Sequence, residues 1–227
     1  VIVGTTCVNY AEYLREGLEA MSKLCDTIFV LDDDPTGEVE AITNDFPEVD
    51  WRRWDEPYHE AKTRALGLKV ALVDHNADWV LPFDGDEVLH NPEHLRQDIQ
   101  AHSWGNPDPN CIRAKWLNFW DSRKTYRTDG RLGQVTTEKM FYVADRRDEL
   151  LRAADEWALT GAAFHAGWMP GGGRKSAPMP PFIIKHYSLL LPKRRRWKYE
   201  YYNRVSPDRS YEHLLDENVK LETWKGG

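Results

Sequence analysis

The chain has 227 residues, with 30 Lys and Arg against 37 Asp and Glu, a formal net charge of −7 and 41% hydrophobic residues. That length can bury one sizeable core, and the negative balance excludes a surface that grips nucleic acid or anionic membrane by bulk electrostatics. No stretch reaches the roughly 18 to 20 consecutive apolar residues of a spanning helix, and no basic-then-apolar leader precedes Val1, so a soluble, cytoplasmic protein is expected. Cys7, Cys25 and Cys111 are odd in number and lack metal-ligand spacing, which suits a reducing compartment. Ten Trp and ten Tyr stand out; aromatics at this density line carbohydrate or nucleobase sites as well as cores.

In chain order, Val1 to Cys7 reads as a buried strand, followed by a helix capped by Asn9 with Glu12 three residues on and Leu14, Leu18 and Met21 at helical spacing. Thr27 to Leu31 is a second strand that ends in Asp32, Asp33, Asp34 and Pro35. Val49 to Trp54 is a third strand, and Ala61, Ala65, Leu68 and Leu72 mark one face of a helix beginning near His59. Trp79 to Phe83 is the fourth strand, ending in Asp84-Gly85-Asp86-Glu87, with a helix expected from Asn91 as cap and Pro92 in its first turn. This alternation predicts a parallel α/β sheet, whose ligands bind at the carboxyl ends of the strands. Beyond Ser103 the period weakens, dividing a single domain into halves 1–103 and 104–227. In the second half Ile112 to Trp120, Met140 to Ala144 and Phe182 to His186 read as strands, with a polar loop from Ser122 to Thr137. Pro170 to Pro181 has the turn chemistry of a lid. Lys193 to Arg204 reads as a basic aromatic helix, and Tyr211 to Trp224 as a terminal helix.

Asp84-Gly85-Asp86 is the strongest chemical signal. Two carboxylates one residue apart at a strand end can both reach a divalent cation, and the glycine allows close backbone approach. Hard oxygen ligands favour Mg2+ or Mn2+, which keep positions open for phosphate oxygens. Taken alone, the same three residues also read as a turn with solvated acids.

The wider pattern resembles glycosyltransferase family 2 and its GT-A fold. Four blocks carry the resemblance, in the right order: the first strand leading into Val8-Asn9, then Leu31-Asp32-Asp33-Asp34-Pro35-Thr36, then Ala61-Lys62-Thr63-Arg64-Ala65-Leu66-Gly67-Leu68, then Trp79 to Glu87 with its Asp-x-Asp. Lys185-His186-Tyr187-Ser188 is similar to a His-Tyr element that closes the site in some members. The resemblance implies a Rossmann-like, mostly parallel GT-A sheet flanked by helices, with a nucleotide-sugar half at 1–103 and a smaller acceptor-binding and site-closing half at 104–227. It implies transfer of a sugar from a nucleotide diphosphate sugar, UDP-linked, to an acceptor hydroxyl with inversion. Asp84, Asp86 and His186 would hold the metal, Mn2+ or Mg2+. Asp33, Thr5 and Thr6 would hold the uracil, Lys62 and Arg64 the ribose or phosphate, and Gly85 would approach the donor.

The catalytic base does not carry over, because Ala166 follows His165 where some members have glutamate. His165 and Glu138 lead the candidates, ahead of Asp155 and Glu156. Trp116, Trp120 and Trp168 are candidates to stack on a sugar or acceptor ring. Lys193 to Tyr199 reads three ways: reaching back to the diphosphate beside His186, docking an anionic acceptor, or lying as a solvated helix face. A glycan, a small molecule and a hydroxymethylated base of phage-type DNA all remain open as acceptor. A nucleotidyltransferase on a related sheet, or a nucleotide-sugar binding module without turnover, are the alternatives.

Overall fold

The computed structural model describes residues 1–101, 110–133, 135–162, 167–170, 182–207 and 209–226. The expected division after residue 103, His165, Ala166 and all of the Gly-Pro run except Pro170 lie outside them.

Four parallel strands form the first part of the sheet: β1 (Ile2–Val8), β2 (Thr27–Asp32), β3 (Val49–Arg53) and β4 (Trp79–Pro82). Helices α1 (Leu14–Met21), α2 (Glu38–Thr43) and α3 (Glu60–Val73) connect them. The chain continues through β5 (Glu87–His90), α4 (Pro92–Ala101), β6 (Cys111–Asn118), β7 (Thr125–Arg127), β8 (Val135–Tyr142), α5 (Arg147–Thr160), β9 (Phe182–His186), α6 (Pro192–Val205) and β10 (Leu221–Thr223). The eight-stranded sheet has the order β3-β2-β1-β4-β8-β6-β9-β5, and β7 pairs with β10 in a separate two-stranded ribbon. β8 and β5 run against the other strands of the large sheet. This is the Rossmann-like GT-A arrangement expected from the sequence.

Two apolar layers hold the sheet. On one face Leu14, Leu18 and Met21 of α1 and Leu95 and Ile99 of α4 pack with Ile28, Val30 and Leu81. On the other, Ala65, Leu68 and Leu72 of α3 meet Val3, Val80, Phe141 and Leu150. Each fully buried Leu, Ile or Val stabilises the fold by about 1.5–3 kcal/mol, which explains why the central strands read as continuous apolar runs. Gly161, directly after α5, sits so close to α3 that an added Cβ would come within 2.5 Å of Ala61 Cβ and of the Trp157 carbonyl. Gly161→Ala is therefore expected to destabilise the protein by about 1–3 kcal/mol, measured as a lower urea midpoint; an unchanged midpoint would contradict this close packing.

Several expectations are corrected. α1 begins at Leu14 and its N-cap Tyr13 makes no side-chain cap bond, so the helix starts past the expected Asn9–Glu12 capping box, in a stretch whose Tyr10 hydroxyl bonds Asp86. Helix α4 begins at Pro92 as expected, with Asn91 before it at a left-handed φ of 52°. The polar loop before residue 137 contains β7 and the start of β8. Helix α2 is too short to register as a period, and α5 is absent from the expected elements although Leu150, Ala154 and Trp157 lie at helical spacing. The expected helix from Tyr211 to Trp224 is a 3-10 turn at Glu212–Leu214 followed by β10. Buried Arg127 decides this, donating to the His213 carbonyl at 2.8 Å and to Asp216 at 2.7 Å, while β10 pairs with β7. Among the described residues, no helix is long and apolar enough to cross a membrane.

Candidate functional site

The strand order reverses between β1 and β4, since β1 continues to β2 and β3 on one side and meets β4 on the other. Connections leaving such neighbours diverge to opposite faces and open a crevice at the carboxyl ends. A cleft of about 390 Å³ lies there, walled by Cys7 to Tyr10 at the carboxyl end of β1, by Asp84 to Asp86 after β4, and by Trp116, Trp168, His186 and Lys198 from the second half. That volume suits a small organic ligand, for which pockets of about 300–1,000 Å³ are usual.

Asp84 and Asp86 stand in different surroundings. The Asp84 side chain is 42% exposed, with Oδ1 3.4 Å from Arg64, and its backbone N–H donates to Glu87 Oε2 at 3.0 Å. Gly85 fits against Val8, where a Cβ would approach to 3.3 Å. The Asp86 side chain is 3% exposed. Its Oδ2 accepts from the Tyr10 hydroxyl and lies 3.6 Å from Lys198 Nζ. Burial alone would raise the Asp86 carboxyl, but Lys198, His186 and the Tyr10 hydroxyl outweigh it and hold it well below the usual carboxylate range. Burial likewise opposes the charge on Lys198, and Tyr202, Asp86 and Asp84 more than offset it, so its pKa is raised.

The pairing of β5 with β9 sets Glu87 opposite His186, and the Tyr187 N–H donates to the Asp86 carbonyl at 2.9 Å. This register brings His186 Nε2 to 3.4 Å from Asp86 Oδ1. Asp86 Oδ1 is buried and accepts no hydrogen bond among the described residues. An orphaned carboxylate oxygen facing an imidazole nitrogen is a suitable donor pair for a divalent cation. Among the described residues no group of three or more His, Cys, Asp or Glu forms a full cage. Magnesium or manganese fits such a site, because it takes one or two protein carboxylates and fills its remaining positions with phosphate oxygens and water.

Beneath the site Lys139 of β8 is fully buried, 2.8 Å from Glu87 Oε2. Burial pushes both groups toward neutrality, taking Lys139 down to about 8 and Glu87 up, while each partner opposes the other's shift. Trp168 is held between two cations, with Lys139 Nζ 2.8 Å and Arg64 4.0 Å from its ring centre. Arg64 also bonds Glu60 at 2.7 Å and the Gly167 carbonyl, so it ties Asp84 to the segment carrying Trp168.

Of the residues expected from the sequence, Arg64, Asp84, Gly85, Asp86 and His186 meet in the cleft. Thr5 and Thr6 line an adjoining space of about 20 Å³, the size of one water molecule. Asp33 sits at the end of β2, and among the three acids of its loop it alone has no side-chain bond among the described residues. Asp32 accepts from the Asp34 N–H at 2.8 Å and from Trp51 Nε1 at 3.1 Å, and Asp34 accepts from Thr36 Oγ1 at 2.6 Å. Burial raises the Asp33 carboxyl, opposed by Arg53 and reinforced by Asp32 and Asp34. Lys62 is exposed and 3.6 Å from Glu56, away from the cleft. Glu138 lies on β8 next to inward-pointing Lys139 and does not line the cleft. Asp155 and Glu156 are exposed on α5, and Asp155 pairs with Lys69.

The basic helix divides its charges. Arg195 is buried, bonding the Leu189 carbonyl at 2.8 Å and Asp121 at 2.7 Å, and it stacks over Trp120, which is core. Arg194 lies 3.7 Å from the Tyr10 ring centre, and Lys198 enters the cleft with Trp197, Tyr201 and Tyr202. Tyr10, Asn118 and Lys139 are site residues that the sequence reading missed. The local signal at Asn118 and Lys139 is a polar side chain beside apolar neighbours, Leu117 and Phe119 in one case and Met140 and Phe141 in the other; Tyr10 carries no such signal.

No protein-family model and no curated protein matches the chain. Among solved structures, it is similar to S. aureus TarS residues 1–349, at 15% identity over 94% of this chain and 68% of that chain, with a TM-score of 0.46. The same protein in complex with UDP gives 15% identity, the same coverages of 94% and 68%, and a TM-score of 0.44. A 4-diphosphocytidyl-2C-methyl-D-erythritol synthase from Anaerococcus prevotii is 14% identical over 70% of this chain and 75% of that chain, with a TM-score of 0.43. At these scores the likeness is loose, and the fold assignment stands on strand order and pairing.

Proposed function

We propose that the chain is a metal-dependent glycosyltransferase that moves a sugar from a nucleotide diphosphate sugar, UDP-linked, to an acceptor hydroxyl with inversion. One observation carries this reading: the buried Asp86 Oδ1, which accepts no hydrogen bond among the described residues, lies 3.4 Å from His186 Nε2 at the mouth of the β1–β4 crevice. In an inverting transfer the acceptor oxygen bonds to the anomeric carbon as the carbon–oxygen bond to the diphosphate breaks. The bonding pair leaves with the phosphate oxygen, and the hydroxyl proton passes to a base. A divalent cation held by Asp86 and His186, with Asp84 beside it, would supply positive charge for the departing diphosphate.

The chain's own residues are assigned the remaining roles. Lys198, whose ammonium points into the cleft, would bind a diphosphate oxygen. Arg64 would keep Asp84 and Trp168 in place, and Asp33 would accept a base-ring N–H of the nucleotide. His165 is proposed as the proton acceptor; it stands two residues before Gly167, which lines the cleft, and an imidazole nitrogen can take up a hydroxyl proton.

The test is a thermal-shift and hydrolysis screen of UDP-, GDP-, ADP- and dTDP-sugars with and without Mn2+. Stabilisation and slow nucleotide release by one donor class, dependent on Mn2+, are expected. Pyrophosphate release from a nucleoside triphosphate and a sugar phosphate would identify a nucleotidyltransferase instead. Stabilisation without turnover would identify a binding module. Lys198→Met is expected to raise the donor KM about tenfold or more, from loss of the roughly 1.5–3 kcal/mol of a hydrogen bond to a charged group. Steady-state kinetics in which kcat falls and KM stays fixed would reject that role.

A further inference from the structure

His186 and Asp86 present a problem of protons that the surrounding hydrogen bonds solve. Asn118, at the end of β6, lies opposite His186 in the parallel β6–β9 pairing. Both residues are buried, at 3% and 8% exposure for Asn118 and His186. Asn118 Nδ2 donates to the Leu132 carbonyl at 3.0 Å, and a carbonyl can only accept, so the amide has one orientation. Its oxygen must then face His186, where Oδ1 lies 2.6 Å from Nδ1. Asn118 Oδ1 is also an acceptor only, so the hydrogen between them belongs to His186 Nδ1. In the neutral imidazole this leaves Nε2 as a lone pair. Nε2 lies 3.4 Å from Asp86 Oδ1, itself a buried acceptor with no hydrogen bond among the described residues. Two acceptors facing each other repel unless a cation lies between them, which is a second proton on Nε2 in the metal-free protein and a metal ion in its place when one is bound.

We infer that Asn118 is a positioning residue that makes His186 a metal ligand. The chain from the Leu132 carbonyl through Asn118 to His186 Nδ1 fixes the tautomer that turns the Nε2 lone pair toward the cation shared with Asp86. The inference rests on the metal-dependent reading of the site but goes beyond it, because it assigns a function to a residue outside the cleft lining and to the backbone of the turn at Gly130–Leu132. A hydrogen bond to the second ring nitrogen sets the orientation and basicity of a ligating imidazole, and its loss typically weakens metal affinity about 10–100-fold.

Two measurements on the full chain test it. Long-range proton–nitrogen NMR of the wild-type protein should find His186 protonated at Nδ1 with and without metal; a bare Nδ1 with the proton on Nε2 alone overturns the inference without any substitution. Electron paramagnetic resonance of bound Mn2+, with UDP as the added probe, should detect one imidazole nitrogen coupled to the metal. That coupling should disappear in His186→Gln and survive in Asn118→Asp, which keeps an acceptor on Nδ1. Asn118→Leu should bind Mn2+ about 10–100-fold more weakly. Wild-type affinity and nitrogen coupling in Asn118→Leu would overturn the positioning role. Mn2+ bound without nitrogen coupling in the wild type would remove His186 from the ligand set, and failure to bind Mn2+ even with UDP would overturn this inference together with the metal-dependent part of the proposed function. Donor turnover is read separately, so a protein with the nitrogen signal and no transfer would sink the proposed function and leave this inference standing.

Discussion

Asp86→Asn is expected to lower kcat/KM for sugar transfer or donor hydrolysis by about 10³-fold while the protein stays folded. The substitution keeps the shape of the side chain and an acceptor for the Tyr10 hydroxyl, but removes the negative charge that Lys198 and His186 surround. Stabilisation of developing charge by a bound cation is worth several kcal/mol, which corresponds to about three powers of ten in rate. Mn2+-dependent stabilisation by donor should disappear in the same variant. A variant with wild-type turnover, or with its donor response to Mn2+ intact, would remove Asp86 from the site. Asp84→Asn is expected to do less, because Asp84 is 42% exposed and already faces Arg64 at 3.4 Å.

The second large effect concerns stability. Glu87→Gln should destabilise the fold by about 3–5 kcal/mol, the usual result of leaving one member of a buried ion pair without its counter-charge. Lys139 is fully buried at 2.8 Å from Glu87, and the Trp168 ring 2.8 Å away only partly compensates. For a chain of this size each kcal/mol shifts the melting temperature by roughly 2–4 °C, so calorimetry should find a fall on the order of 10 °C. The paired replacement Glu87→Leu with Lys139→Met should recover most of that loss, since an apolar pair of similar volume carries no desolvation penalty. A single variant that melts within about 2 °C of wild type would mean that water reaches Lys139 and the pair is not isolated. Glu87 also receives the Asp84 N–H at 3.0 Å, so the same variant should loosen the turn carrying both aspartates and weaken Mn2+ binding.

These residues separate what was readable in the sequence from what was not. The four parallel strands, the position of Asp84-Gly85-Asp86 at a strand end and the placement of His186 on a strand were legible locally, because each depends on apolar periodicity and turn chemistry within a few residues. The strand Phe182–His186 matches its expected bounds. Short elements such as α2 and β5 escaped because six and four residues span too few repeats to display a period.

The contacts of the site follow from long-range strand pairing. Asp86 meets His186 because β5 pairs with β9 in a register that sets Glu87 opposite His186, and Asn118 meets His186 through the β6–β9 register. Such pairings join residues far apart in the chain, and their register is set by which faces bury apolar area across the whole sheet. The same holds for Asp33, left open because Trp51, Arg53 and Thr36 take up Asp32 and Asp34, and for Lys198, one basic residue in a run whose neighbour Arg195 is used to hold α6 against Trp120. Local sequence supplied the carboxylates, the imidazole and the cations; only the packed sheet determined which of them face one another.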